Sequence, residues 1–383
     1  MRFLGKWVRL ERESLEMNEE KALKNLINKN VVRKMVGLIS SFYPSFNTHK
    51  FIKQASQLDD LELKDRVGHV SKALKLELTR HFKSDALILR KVLETHELKG
   101  FELWPISEYI SENGIDHFEE AFDLMYLLTQ DFTSEFAIRP FLKKDFNRCL
   151  KKLSKWIEDE NVHIRRWVSE GTRPILPWGG KIQAFIENPI TLKLIEKLKY
   201  DEELYVRKSV ANHLNDLSKS NPQLVIKTIK RWESNAPLKH LSKITWIKKH
   251  GLRTLIKKGV PEALLLMGAN QKVSCELLKF NLIKKSFRLG EELIFELEIK
   301  SCAKATQNFI IDYGIHFRKA SGKTSVKIFK LKSLKLLPGQ SILIKKKHSL
   351  KKITTMTYFS GLHQLHLQIN GKIYDKLNWY FSC

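Results

Sequence analysis

Residues Ile164–Trp178 read IRRWVSEGTRPILPW. Three arginines, two tryptophans, two prolines, one glycine and one glutamate share this short stretch. Arg166 and Glu170 stand four apart, so a helix places them on one face. Gly171 and Pro174 predict the end of that helix, glycine as a left-handed cap and proline as a residue that cannot continue the ladder. Arg173 follows near the same face, and Trp178 falls on a Pro-Trp-Gly-Gly turn. On composition alone, the simplest account is an Arg–Glu ion pair and two packed tryptophans closing a helical repeat. A carboxylate between guanidinium groups with indoles nearby also fits a binding or catalytic hollow.

Working outward, the stretch recurs. His163-Ile164-Arg165-Arg166-Trp167-Val168 resembles Tyr205-Val206-Arg207-Lys208-Ser209-Val210, and Trp246-Ile247-Lys248-Lys249 repeats the theme. The spacings, about 42 and 41 residues, suit helix pairs of the HEAT type. Acidic turns, Asp159-Glu160-Asn161 and Asp201-Glu202-Glu203, precede the first two copies. Each copy is expected to turn its basic positions to the same side of a solenoid, giving a positive concave face. Upstream, Asp60–Leu78 and Asp116–Thr129 carry helical periodicity. Ser134–Ile157 reads as a further helix with Ser134 as its N-cap.

After Gly268 the period changes. Phe295, Leu297 and Ile299 alternate with Glu296 and Glu298, a strand pattern. Leu365, Leu367 and Ile369 do the same, and Asn370-Gly371 then signals a tight hairpin. About seven such segments between Leu277 and Phe381 suit a small immunoglobulin-like sandwich. The expected fold is therefore mainly α, a HEAT-like α-solenoid over 21–271 followed by an all-β sandwich over 272–383. Residues 1–20 read as an N-terminal extension, with Met17 a natural start.

Charge restricts the partner. Lys and Arg total 68 against 42 Asp and Glu, a net charge of +26, and the pI is near 9.7. Such an excess favours a polyanion, DNA or RNA. The sandwich segment alone carries 21 basic against 7 acidic residues, concentrated in 323–335 and 345–352. No run of eighteen apolar residues predicts a membrane span. Four cysteines without CxxC spacing read as reduced thiols of a cytoplasmic protein. The thirteen histidines make no HExxH or Cys/His motif, so metal enzymology is not expected.

The quoted stretch, extended to HIRRWVSEGTRPILPWG, resembles the signature of AlkC-type DNA glycosylases, in the HEAT-like-repeat DNA alkylation repair family. So do ALKNLINKNVVRKMVGLISSFYPSF at 22–46, SEFAIRPFL at 134–142, YVRKSVANHLNDLSKSNP at 205–222 and WIKKHGLRTLIKKGVPEAL at 246–264. The resemblance implies a monofunctional enzyme without cofactor. It would hydrolyse the N-glycosidic bond of cationic N-alkylated bases, such as 3-methyladenine and 3-methylcytosine, in double-stranded DNA. It implies catalytic roles for Glu170, Glu135 and Asp216, and substrate or DNA contacts for Trp178, Phe136, Arg166 and Arg173. Trp167 falls where the family varies and is not assigned to the pocket. A monomer associated with the nucleoid is the expected state. The sandwich is expected to contact DNA, so that deleting 272–383 weakens catalysis on duplex. The competing account is a scaffold that binds DNA or protein and cuts nothing.

Overall fold

The computed structural model describes residues 22–270, 272–353 and 356–383. The expected extension at 1–20 lies outside them. The chain packs as two compact units, one running to His213 and the other spanning Leu214–Cys383.

The first unit is built from α1 Lys29–Phe42, α2 Thr48–Ala55, α3 Leu63–Glu77, α4 Phe82–Glu94, α5 Trp104–Asn113, α6 Phe118–Asp131, α7 Ile138–Lys144, α8 Phe146–Ser154, α9 Val162–Gly171, α10 Gln183–Glu187 and α11 Leu192–Leu198. Helix α12, Leu204–Leu217, runs across the boundary. The helices are amphipathic. In α1, Val31, Val32, Met35, Val36, Leu38 and Ile39 form one buried stripe at helical spacing. Asn28 caps this helix, its side chain accepting from the amides of Asn30 and Val31. Alternate helices stack: α3 packs on α5, α4 on α6, and α9 on both α6 and α11. This is the layering expected of HEAT-like pairs.

The expected helix over 134–157 is instead a turn and two helices. Asp145 accepts a hydrogen bond from the Arg148 amide at 3.0 Å and so starts α8. Ser134 does not cap, because its hydroxyl is spent elsewhere: it donates to the Met125 carbonyl at 2.9 Å and accepts from Thr129. Helix α7 therefore begins only at Ile138, leaving Glu135 and Phe136 in a turn.

The three copies share a buried apolar position, but their basic positions are not equivalent. Ile164, Val206 and Ile247 are all fully buried. Arg165 reaches back to the carbonyls of Asp159 and Glu160, and Arg207 makes the same contacts to Asp201 and Glu202. These arginines close the acidic turns from within, where open carbonyls need donors. The third copy substitutes a pair between Lys248 and Glu233. The first basic position is thus consumed internally, correcting the expectation of a shared basic face. The second diverges, since Lys208 is exposed while Arg166 is largely buried.

The second unit adds α13 Pro222–Ser234, α14 Leu241–Gly251, α15 Arg253–Lys257 and α16 Pro261–Leu266. Strands then follow: β3 Cys275–Leu282, β4 Ser286–Arg288, β5 Glu292–Ser301, β6 Gln307–Arg318, β7 Thr324–Leu336, β8 Ser341–Ser349, β9 Gly361–Ile369 and β10 Lys372–Ser382. They make a three-stranded sheet, β3-β5-β8, and a five-stranded sheet, β4-β10-β9-β6-β7. Pairings are antiparallel except β4 with β10. Phe295, Leu297, Phe309, Ile311, Leu365, Leu367 and Trp379 belong to its buried core. Asn370 and Gly371 turn with φ of 44° and 81°, as the hairpin signal predicts.

Strands replace helices after residue 270, yet the packing boundary falls earlier. The last helices belong with the sandwich. Gln368 donates to the Lys257 carbonyl and Asn370 to that of Asn270. A Cβ on Gly259 would lie 2.7 Å from the Gly371 backbone, so two glycines let main chain meet main chain there. Leu264, Ala269 and Ile310 bury an apolar cluster at the same join.

Candidate active site

Helix α9 presents two faces. Ile164, Trp167 and Val168 are buried, and Trp167 stacks on Trp156 with centroids 5.1 Å apart. Trp167 is therefore core. The other face carries Arg166 and Glu170. The helix ends at Gly171, but not through a left-handed cap. A Cβ there would lie 3.0 Å from Ile138 and 3.2 Å from the Trp167 ring, so the glycine permits close helix packing. Arg173, just beyond, folds back to Glu170.

The result is a chain of alternating charge. Arg173 Nη1 donates to Glu170 Oε1 at 2.6 Å, and Arg166 Nη2 lies 3.6 Å from the same oxygen. Arg166 Nη1 donates to Glu135 Oε2 at 2.9 Å. The Thr133 hydroxyl also donates to Glu135, at 3.0 Å. All four charged side chains are at most 16% exposed, which makes their pairing matter. The Arg166 guanidinium further lies 4.8 Å over the Tyr205 ring. His163 meets that ring edge-on.

The two carboxylates are pushed apart in acidity. Burial raises the pKa of Glu135, and the negative charge of Glu170 adds to it, against the opposing pull of Arg166. Burial also acts on Glu170, but Arg166, Arg173 and the Ser209 hydroxyl outweigh it and hold this carboxyl below its usual range. Burial keeps Tyr205 above its usual range, so its proton is retained.

Beside the charges runs an aromatic stack. After α9, β1 Ile175–Leu176 and β2 Gly180–Lys181 pair as a small hairpin with Pro177-Trp178-Gly179 at its tip. Trp178 adopts φ of 63°, and its carbonyl accepts from Lys64 at 3.2 Å. Its ring stacks on Trp104 at 5.8 Å and 20°, and Trp104 stacks on Phe136 at 5.2 Å and 17°. Trp104 is 2% exposed and Trp178 55%, so Trp178 is the open face of a three-ring platform.

The structure thus brings together, within the first unit, Glu135, Phe136, Arg166, Glu170, Arg173 and Trp178, all expected from sequence. Asp216 lies on the last turn of α12, past the boundary of this unit. There it is buried and pairs with Lys219 at 3.1 Å. Sequence reasoning missed Trp104, Tyr205, Ser209 and Arg139. Arg139 was legible in part: a guanidinium inside the apolar run AIRPFL is drawn into the interior, where its N–H groups need acceptors. Trp104 left no local signal, because its partners are distant in sequence.

Comparison with known proteins gives the arrangement a context. Residues 127–248 match the family described as DNA alkylation repair enzyme, and residues 276–381 match the C-terminal Ig-like domain of the uncharacterised protein YhaZ. The chain is 36% identical over 360 residues to the uncharacterized protein YhaZ of Bacillus subtilis (strain 168), covering 93% of this chain and 98% of that protein. It is also similar to the solved structure of Pseudomonas fluorescens alkylpurine DNA glycosylase AlkC bound to DNA containing an abasic site analog. That match has a TM-score of 0.86 at 31% identity, over 94% of this chain and all of the other.

Proposed function

We infer the function from one premise: the chain belongs to the AlkC-type DNA alkylation repair family. Within that family, the proposed activity is hydrolysis of the N-glycosidic bond of cationic N-alkylated bases, 3-methyladenine and 3-methylcytosine among them, in double-stranded DNA. The enzyme acts without strand cleavage and leaves an abasic site. The observation that carries this reading is the pair of buried carboxylates bridged by Arg166 beside an open aromatic face.

An alkylated base of this kind is already positive. When the bond from its nitrogen to C1′ breaks, the electron pair neutralises the base and leaves positive charge on the sugar. The site therefore needs fixed negative charge more than a proton donor. Glu170 supplies it, because two guanidinium groups keep it ionised. Glu135 is the better proton acceptor, since its pKa is raised. Its role is to orient water toward C1′ and take the proton as the C1′–O bond forms. Trp178 offers a π face to the cationic base, an attraction of about 2 kcal/mol when water is excluded. Arg166 and Arg173 hold both carboxylates in place. Asp216 is proposed as a supporting carboxylate on the family resemblance.

The test is the inventory of free bases released from methylated duplex DNA by the purified protein. Release of 3-methyladenine, with abasic sites accumulating in uncut strands, is the expected result. Binding of the duplex with no base released contradicts it and favours a scaffold.

A further inference from the structure

Arg139 is a buried guanidinium of the helical unit whose fork reaches the backbone of the loop bearing Trp178. It lies on the first turn of α7, four residues after Glu135 and three after Phe136, and is only 3% exposed. Its hydrogen bonds run to main chain. Nη1 donates to the Arg173 carbonyl at 2.8 Å and, more weakly, to that of Gly171 at 3.4 Å. Nη2 donates to the Gly180 carbonyl at 2.9 Å.

These acceptors bracket the loop that carries Trp178. Gly171 and Arg173 lie at its start and Gly180 at its end, so one planar fork ties both ends to the segment bearing Glu135 and Phe136. The loop has reason to need such a tie. Trp178 sits in the left-handed region, which a bulky side chain occupies only under constraint. The next residue, Gly179, is bare where it passes Arg139: a Cβ there would lie 3.0 Å from Arg139 Cδ and 2.7 Å from Leu176. The Arg173 carbonyl held by Arg139 belongs to the residue whose side chain keeps Glu170 ionised.

We propose that Arg139 is a positioning residue that sets Trp178 and Arg173 together by clamping the backbone on either side of their loop. This deepens the glycosylase reading and rests on it. Lysine keeps the charge but not the two-pronged geometry, so Arg139→Lys separates charge from fork. Being buried, Arg139 has no share in phosphate contacts, which govern duplex affinity.

The experiment is a double-mutant cycle of Arg139→Lys with Trp178→Ala, read as single-turnover excision of 3-methyladenine and as duplex affinity. In the wild-type background, Arg139→Lys is expected to slow excision by about tenfold to a hundredfold, the scale of a misplaced reacting group, with affinity changed less than about twofold. In the Trp178→Ala background most of that loss should vanish, because the clamp acts largely through the indole. Equal losses in both backgrounds, or full activity of Arg139→Lys, overturn the proposal. If Arg139→Lys does not fold, Gly179→Ala tests the clamp from the other side and should show the same split.

A second readout does not depend on excision. In 5-fluorotryptophan-labelled protein, the 19F resonance lost in Trp178→Phe should broaden or shift in Arg139→Lys while that of buried Trp232 stays in place. An unmoved Trp178 resonance refutes the clamp, whereas a moved one in a protein that releases no base leaves the clamp standing and removes the glycosylase reading.

Discussion

At the scale of single residues, the site is two acids made unequal by their neighbours. Glu135 and Glu170 share Arg166, but among the described residues Glu170 has a second guanidinium and Glu135 does not. A pH profile follows. Glu135 must be ionised to accept a proton, so excision is lost as pH falls through its raised pKa. The acid limb should therefore lie above the ~4.3 of an ordinary glutamate. In Glu135→Gln the remaining activity should lose that limb, since Glu170, held low, stays ionised through the same range. Single-turnover rates across pH for both proteins check this; a limb unchanged in Glu135→Gln removes Glu135 from the role of base. The i, i+4 pairing of Arg166 with Glu170 was legible from spacing alone. The reach of Arg166 to Glu135 was not, because it depends on how α9 stacks beside the turn at 133–137.

At the scale of elements, the structure explains why the repeat exists. Arg165 and Arg207 bond back to carbonyls of their own acidic turns, so the motif is first a way of starting a helix. Arg207→Ala should cost about 0.5–1.5 kcal/mol, the net range for ordinary hydrogen bonds, since the carbonyls it leaves are part-buried or exposed. The expected outcome is a lower urea midpoint with unchanged excision at temperatures where the protein stays folded. A selective loss of excision would instead mark Arg207 as part of the site. Periodicity revealed the buried positions Ile164, Val206 and Ile247. It failed over 134–157, where the helical pattern continues through residues that form a turn. Ser134 looked like a cap and proved to be a link to Met125. That failure falls on the segment that carries Glu135 and Phe136, and an unbroken helix would have presented them differently.

For the whole molecule, the change from helical to alternating pattern marked where strands begin but not where packing divides. Contacts such as Gln368 to Lys257 join residues far apart in the chain, and no local pattern announces them. This alters what truncation does. A chain ending at residue 271 loses the partners of α15 and α16 and uncovers Leu264 and Ala269. It should therefore aggregate or melt several degrees lower, as judged by thermal unfolding and light scattering. A monodisperse fragment with an unchanged melting point would show that the sandwich is dispensable for folding of the helices. Loss of excision in that fragment would by itself say little about DNA contact. The central claim is carried by one carboxylate, and one comparison tests it: single-turnover release of 3-methyladenine by the full chain and by Glu170→Gln. Removing the fixed negative charge while keeping its shape should slow release by about 10²–10³, with duplex binding retained. Release at the wild-type rate by Glu170→Gln would contradict the account.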